Sequence, residues 1–435
     1  MSELPAGLEA VIRQASPLTE RFTAAGHRLY FVGGVVRDHL LERARTENDL
    51  DATTDARPEA IKALVGDLAD AVWTQGERFG TIGCTVGGQI YEITTHRAEA
   101  YDHDSRKPTV SFGDRIEDDL ARRDFTVNAM AVDLLGGSLV DPHGGRADLD
   151  AQVLRTPLDP EISFSEDPLR MLRAARFHAG YALSPTPELR AAITALLDRM
   201  TIVSAERIRD ELEKLLLLDS PGPGFRFLAE TGLLGRVLPD LASLTPDEAA
   251  GRGEVAGAVA SDAAARWAAL LAPSGIVVAG LRALKFSGTL TRDVVWFASA
   301  IDWATFPGSR SADAPSIRRV AALVPGGRPI GDMIDWVDAM RRVNGLVSDD
   351  VDDFRRAHDA LLATEPDLAD PEALLTGEAV CAVLGISPGR EVGVAMKWLR
   401  DLRIEEGPID AAVAADRLVE WWPSRPNPDA PDLSR

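Results

Sequence analysis

Residues 29–54 read LYFVGGVVRDHLLERARTENDLDATT, and the order of features in this stretch decides the fold. Tyr30, Phe31 and Val32 predict a short buried strand, Gly33-Gly34 ends it, and residues 35–41 predict the start of a helix with Arg37 one turn beyond the glycines. A polar loop follows, and Asp49-Leu50-Asp51 opens a second extended run. Two glycines between strand and helix let the backbone turn tightly and approach a ligand closely. The helix N-terminus beyond them offers unpaired N–H groups and partial positive charge, which suits phosphate. Side chains alternate along a strand, so Asp49 and Asp51 share one face and Leu50 points to the core. Paired carboxylates beside a phosphate cradle suit magnesium, which takes one or two carboxylates and fills its other positions with water and phosphate oxygens. A Gly-Gly alone is an ordinary turn and an Asp-x-Asp alone an ordinary solvated strand end. The combination of strand, Gly-Gly, helix and Asp-x-Asp is far more specific.

The chain has 435 residues, enough for two to four domains, with 45% apolar and 26% charged residues. Its first residues, MSELPAGLEAVIRQ, lack a basic region followed by an apolar run, and no stretch nears the roughly 20 apolar residues that span a bilayer. Cys84 and Cys381 are too few for a disulfide framework or a zinc site, so a cytoplasmic protein is expected. The net charge of −21 argues against nonspecific coating of nucleic acid and leaves room for a structured RNA held by a local patch. Lysine occurs only at 62, 107, 214, 285 and 397, so arginine carries nearly all the positive charge. Its planar fork suits bidentate recognition of phosphates and bases.

Residues 1–28 predict one leading helix, with Leu8, Val11, Ile12, Leu18 and Phe22 at near-helical spacing. Residues 57–68 predict an amphipathic helix, and 81–86 and 89–95 two strands joined at Gly87-Gly88, with Glu92 facing away from Tyr91 and Ile93. The polar stretch 97–119, with Tyr101, His103, Arg106, Lys107 and Pro108, reads as a flexible loop. Residues 122–131 (RRDFTVNAMA) are either a plain helix start or a device delivering a guanidinium to a triphosphate, and residues 141–145 (DPHGG) are a turn. Beyond residue 155 helices take over. In 164–177 (FSEDPLRMLRAARF), Ser165 is the expected cap, and Asp167, Arg170, Arg173 and Arg176 recur every third residue as one stripe. Such a stripe is either a set of surface ion pairs or a seat for an anionic ligand. Residues 189–197 and 204–218 are two more amphipathic helices, residues 221–435 are mainly helical, and the end from Pro423 reads as a disordered tail.

Gly33-Gly34-x-x-Arg37-Asp38, Asp49-x-Asp51, the RRDFTVN of 122–128, Glu166-Asp167-x-x-Arg170, Glu206-Arg207 and, more weakly, LGISPGREVG at 384–393 together resemble the class II tRNA nucleotidyltransferase and bacterial poly(A) polymerase superfamily, most nearly its CCA-adding members. The resemblance implies an α+β chain. A small mixed-sheet nucleotidyltransferase head (1–145) precedes an all-helical neck (146–235), body (236–340) and tRNA-binding tail (341–435). It implies addition of C, C and A to tRNA from CTP and ATP by nucleotidyl transfer at a two-metal Mg2+ site on Asp49 and Asp51, with Glu92 as a third carboxylate. It also implies that Gly33, Gly34, Arg37, Arg123, Arg173 and Arg176 bind the nucleotide and that Asp167 and Arg170 read its base. No membrane and no DNA are expected as partners. Poly(A) polymerase, a partial enzyme adding only CC or only A, and an inactive RNA-binding protein are the alternatives. The chain lacks a long basic C-terminal extension, which disfavours the first. The loop at 97–119 resembles the one that helps CCA-adding members switch from C to A. Where many bacterial relatives carry a His-Asp phosphohydrolase pair after the neck, Ala272-Pro273 stands here, so no second hydrolase site is expected.

Overall fold

The strands at 49–54, 81–86 and 89–95 bury alternate residues, so the sheet is closed on one face and open on the other along them, whereas residues 29–32 are buried throughout, Tyr30 and Val32 packing with Ile116 and Leu120. The computed structural model describes residues 4–43, 49–98, 111–260, 262–275, 277–324 and 328–425. The head strands are β1 (Leu29–Val32), β2 (Asp49–Thr54), β3 (Ala71–Trp73), β4 (Thr81–Val86) and β5 (Gln89–Thr95). A small separate pair follows, β6 (Arg97–Ala98) with β7 (Ser111–Phe112), and then β8 (Ala131–Asp133) and β9 (Leu139–Val140). The main sheet runs β3-β4-β5-β2-β1-β8-β9; β2 and β5 are parallel and the other neighbours antiparallel, so the sheet is mixed.

On the closed face Leu50, Ala52, Ile82, Cys84, Tyr91 and Ile93 are buried, and Phe31 stacks on Tyr91 at 6.5 Å between centroids. Helices α1 (Ala6–Gln14), α2 (Ser16–Ala24), α3 (Gly34–Leu40) and α4 (Pro58–Val65) belong to this side of the head, with α2, α3 and α4 packed against its strands. The expected single leading helix is in fact two. Pro17, which has no N–H to continue the helix, sits in the first turn of α2. The strands at 81–86 and 89–95 fall where expected, whereas β3 and β8 were not anticipated.

The stretch 97–119 is not all loop: β6, β7 and α5 (Ile116–Ala121) occupy its ends. Its centre, with Tyr101, His103, Arg106, Lys107 and Pro108, lies outside the described residues. At the 141–145 turn the Asp141 carboxylate accepts from the Gly145 and Arg146 amides at 2.6 and 2.9 Å, opening α6 (Gly145–Asp150).

The rest of the first compact unit (Met1–Gly253) is helical: α7 (Pro160–Glu166), α8 (Leu169–Tyr181), α9 (Pro187–Ala195), α10 (Ala205–Leu216) and those that follow. One two-residue parallel bridge, β10 (Val153–Leu154) with β11 (Ser184–Pro185), interrupts it. Ser165 lies inside α7 rather than capping α8. Asp167 takes that place, its Oδ1 accepting from the Leu169 amide at 3.2 Å.

The second unit (Glu254–Arg435) has only helices and turns among its described residues. Trp267, Trp303 and Trp336 are fully buried, and Trp336 donates its Nε1–H to Ala265 O at 2.9 Å. Buried Arg341 donates to Trp303 O and to Asp350. A separate apolar cluster joins Leu375, Val380, Ala395, Leu399, Ala414 and Leu418. Ala272–Ser274 forms one 3-10 turn. Of the expected disordered end, Pro423 and Ser424 lie in a turn (Trp422–Ser424), and Arg425 pairs with Glu391 at 2.8 Å; residues 426–435 lie outside the described residues.

Candidate active site

The open face of the sheet carries Asp49 and Asp51 two residues apart on β2. Leu50 between them is buried, so both carboxylates face away from the core as the alternation requires. Register then places Glu92 of β5 directly opposite Asp51. Burial chiefly, and after it the charges of Asp51 and Asp49, push the Glu92 carboxyl up from its ordinary value. A divalent cation offsets those charges, and an acid pair on one strand beside a third acid is a hard oxygen donor set of the kind magnesium takes. Among the described residues no three His, Cys, Asp or Glu side chains form a preformed metal cage. That fits a site that a nucleotide's phosphates complete.

A cleft of about 440 Å3 joins this face to the neck helix α8. It is lined by Asp51 and Thr94 of the sheet, by Arg97, Asp119, Arg122, Arg123 and Asp124, and by Asp167, Arg170, Arg173 and Arg207. Six arginines face four aspartates there, so the cleft is locally cationic within a chain of net charge −21.

Each stripe arginine has a protein partner. Arg170, buried, donates to Ser163 Oγ at 2.8 Å and to Arg122 O at 2.6 Å, and its NH1 lies 3.5 Å from Glu166. Arg173 meets Asp124 at 2.6 Å, and Arg176 meets buried Glu211 at 2.5 Å. The ring of Phe177 lies within 5.7 Å of the guanidinium carbons of Arg173, Arg176 and Arg37, which helps three like charges share one region. The Asp167–Arg170 surface pair does not form. Asp167 instead accepts from Arg207 at 3.0 Å.

Residues 122–128 are a polar connector between the Gly-Gly helix α3 and α8. Asp124 accepts from the Phe125 amide and Asn128 Nδ2, both at 2.9 Å, and from Arg173. Asn128 Oδ1 accepts from Arg37 at 2.5 Å. Arg37 also donates to Asp38 at 2.8 Å and to the Tyr181 hydroxyl at 2.5 Å. Arg37 is therefore buried beneath the Gly-Gly turn and does not line the cleft, nor does Arg176. Both were expected at the nucleotide. Their guanidinium groups are held by Asn128, Asp38 and Tyr181 in one case and by Glu211 in the other. Gly33 sits at φ +66, and a Cβ there would fall 2.8 Å from Arg123 NH1. The turn thus accommodates the Arg123 guanidinium, which Asp119 holds at 3.1 Å.

Sequence reasoning gave no role to Asp119, Asp124, Asn128, Tyr181 or Arg207. The motifs at 122–128 and 206–207 were the signals for three of them. Burial pushes the Asp124 carboxyl up, but the Arg173 guanidinium and the Asn128 amide outweigh it and hold this acid well below the usual carboxylate range. A depressed acid stabilises the fold above its unfolded pKa of about 3.9 and loses that contribution as pH falls through the folded value. Asp124→Asn should therefore lower unfolding stability at pH 7 by about 2–3 kcal/mol, the low side for a broken buried pair because Arg173 reaches solvent. Urea denaturation should show the gap from wild type closing below about pH 4.

Residues 29–155 match the poly A polymerase head domain, and residues 182–245 match the probable RNA and SrmB- binding site of polymerase A. The CCA-adding enzyme of Bacillus subtilis (strain 168) is 31% identical over 401 residues, covering 90% of this chain and 94% of that protein. The CCA-adding enzyme of Lactobacillus helveticus (strain DPC 4571) is 39% identical over 236 residues, 54% of this chain and 57% of that one. The crystal structure of Bacillus stearothermophilus CCA-adding enzyme in complex with CTP superposes with a TM-score of 0.73 at 26% identity, covering 95% of this chain and 99% of that one. With residues 29–155 matched to the head domain and nearly the full length of a curated relative covered at 31% identity, the chain belongs to the CCA-adding enzyme family.

Proposed function

We propose that this chain adds C, C and A to the 3′ end of tRNA from CTP and ATP, without a nucleic-acid template and in the cytoplasm. The observation that supports this most is the single cleft in which Asp51 of the head faces Asp167, Arg170 and Arg173 of the neck. The RNA 3′-oxygen bonds to the α-phosphorus while the bond from that phosphorus to the α–β bridging oxygen breaks. Pyrophosphate leaves, and the hydroxyl proton passes to solvent.

Asp49 and Asp51 would hold Mg2+, with Glu92 beside them; bound there, the ion supplies positive charge at the α-phosphate and favours the ionised hydroxyl. Arg123, lying across Gly33-Gly34, and Arg173 meet the triphosphate with fixed, charge-assisted donors. Arg37 and Arg176 act from behind, holding the Gly-Gly helix and α8 in place. The Asp167 carboxylate accepts from the exocyclic amine of C or A, and Arg170 donates to ring acceptors. U and G present the wrong groups. On this reading the head (1–145) performs the reaction, the neck (146–235) selects the base, and the body (236–340) and tail (341–435) serve the tRNA.

The test is incubation with tRNA lacking its CCA end and labelled nucleotides, singly and together. Two additions with CTP alone and three with CTP and ATP, stopping there, support the proposal. Long A tails make the chain a poly(A) polymerase, growth by CC or A alone a partial enzyme, and no growth overturns it.

A further inference from the structure

Across the open face of the sheet, register aligns four residues in one row: Asp51 beside Glu92, Glu92 beside Gly83, and Gly83 beside Trp73. Paired residues of neighbouring strands project from the same face, so the Trp73 indole lies on the same surface as the candidate metal-binding carboxylate. Gly83 permits this: a Cβ there would fall 2.0 Å from the indole ring, so the ring rests against bare backbone next to Glu92. Trp73, Gly76, Phe79, Thr81, Glu92 and Arg97 line a pocket of about 340 Å3. Arg97 also lines the nucleotide cleft, so the two spaces adjoin, with Glu92 in the second and Asp51 in the first. Phe79 is 39% exposed, and the Arg78 guanidinium lies over its ring at 4.5 Å. An edge strand ending in Trp73 and the 3-10 turn Glu77–Phe79 that follows it place two aromatics beside a cation in an otherwise acidic protein, which suits a planar, anionic partner.

We propose that this pocket is the acceptor subsite, in which the 3′-terminal nucleobase of the RNA stacks on Trp73 and Phe79 with its ribose toward Glu92 and Asp51. The proposal rests on the function given above. An in-line displacement brings the attacking hydroxyl and the leaving pyrophosphate from opposite sides of the α-phosphorus. The incoming base belongs at α8, on one side of the carboxylates, and the pocket lies toward β4 and β3 on the other. The chemistry of the lining also suits the task. The terminal base differs between the first addition and the next two, and stacking on an aromatic accepts any base, whereas a hydrogen-bonding set would reject some.

The test uses the full chain and tRNAs ending at the discriminator base, at C and at CC. Trp73→Ala and Phe79→Ala should each lower kcat/KM for all three RNAs about tenfold, the scale of a lost base–aromatic stack, and leave the KM for CTP unchanged. Trp73→Phe should retain most of the activity. A tRNA carrying 2-aminopurine as its 3′-terminal base should be quenched on binding wild type and not on binding Trp73→Ala. A raised KM for CTP with RNA parameters unchanged would assign the pocket to the incoming nucleotide and overturn the proposal. Wild-type kinetics and quenching in both alanine variants would overturn it while leaving CCA addition standing. A wild-type chain that extends no RNA removes the function and the subsite together.

Discussion

Asp51→Ala is expected to abolish nucleotide transfer and to leave tRNA binding and folding intact. Losing several kcal/mol of charge stabilisation at the α-phosphate corresponds to about 10³-fold or more in rate, at about 1.4 kcal/mol per tenfold. The fold tolerates the change for a reason visible in the sheet: Asp51 is exposed, and the packing of β2 comes from Leu50 and Ala52 on the other face. Removing Asp51 also relieves Glu92, whose carboxyl its charge helps to raise. Single-turnover extension, filter binding of tRNA and thermal unfolding separate the three quantities. Substantial residual transfer in Asp51→Ala would dissociate the reaction from this strand.

Asp167→Ala is expected to change which nucleotide is used more than how fast. A well-placed pairing with a base edge discriminates by about 1–3 kcal/mol, so misincorporation of U and G relative to C and A should rise about 10–100-fold. Asp167 is the cleaner of the two base-reading positions to test. Arg170 already donates to Ser163 and to Arg122 O, so Arg170→Ala loosens the junction of α7, α8 and the 122–128 motif as well as selectivity. Competition between CTP and UTP on one RNA gives the ratio directly. An Asp167→Ala enzyme that is slow yet keeps wild-type selectivity would remove α8 from base recognition.

What the sequence made legible was local. Strand, Gly-Gly, helix and Asp-x-Asp follow from backbone freedom and side-chain alternation, and β1, β2, β4, β5 and α8 lie where those rules put them. The stripe was visible only in part: helical spacing places Arg170 and Arg173 near one another on α8, whereas Asp167 lies in the extended link between α7 and α8 and reaches the same cleft from there. Three-residue strands were not visible: β3 and β8 are too short for a pattern to register, and sheet pairing alone defines them. The protein partners of the charges near the site were not legible either. Whether Arg37 faces a phosphate or Asn128 and Tyr181 depends on residues 91 and 144 positions away. The Arg176–Glu211 contact likewise forms only when α10 packs on α8. Even Trp73 reads as one more apolar residue until register sets it in line with Asp51.

The most direct measurement is a crystal structure of the full chain with CTP and magnesium. The account predicts the cytosine amine on Asp167, the triphosphate against Arg123 and Arg173, and the α-phosphate at Asp49 and Asp51. A nucleotide bound elsewhere, or one lying in this cleft with its base away from α8, would contradict it.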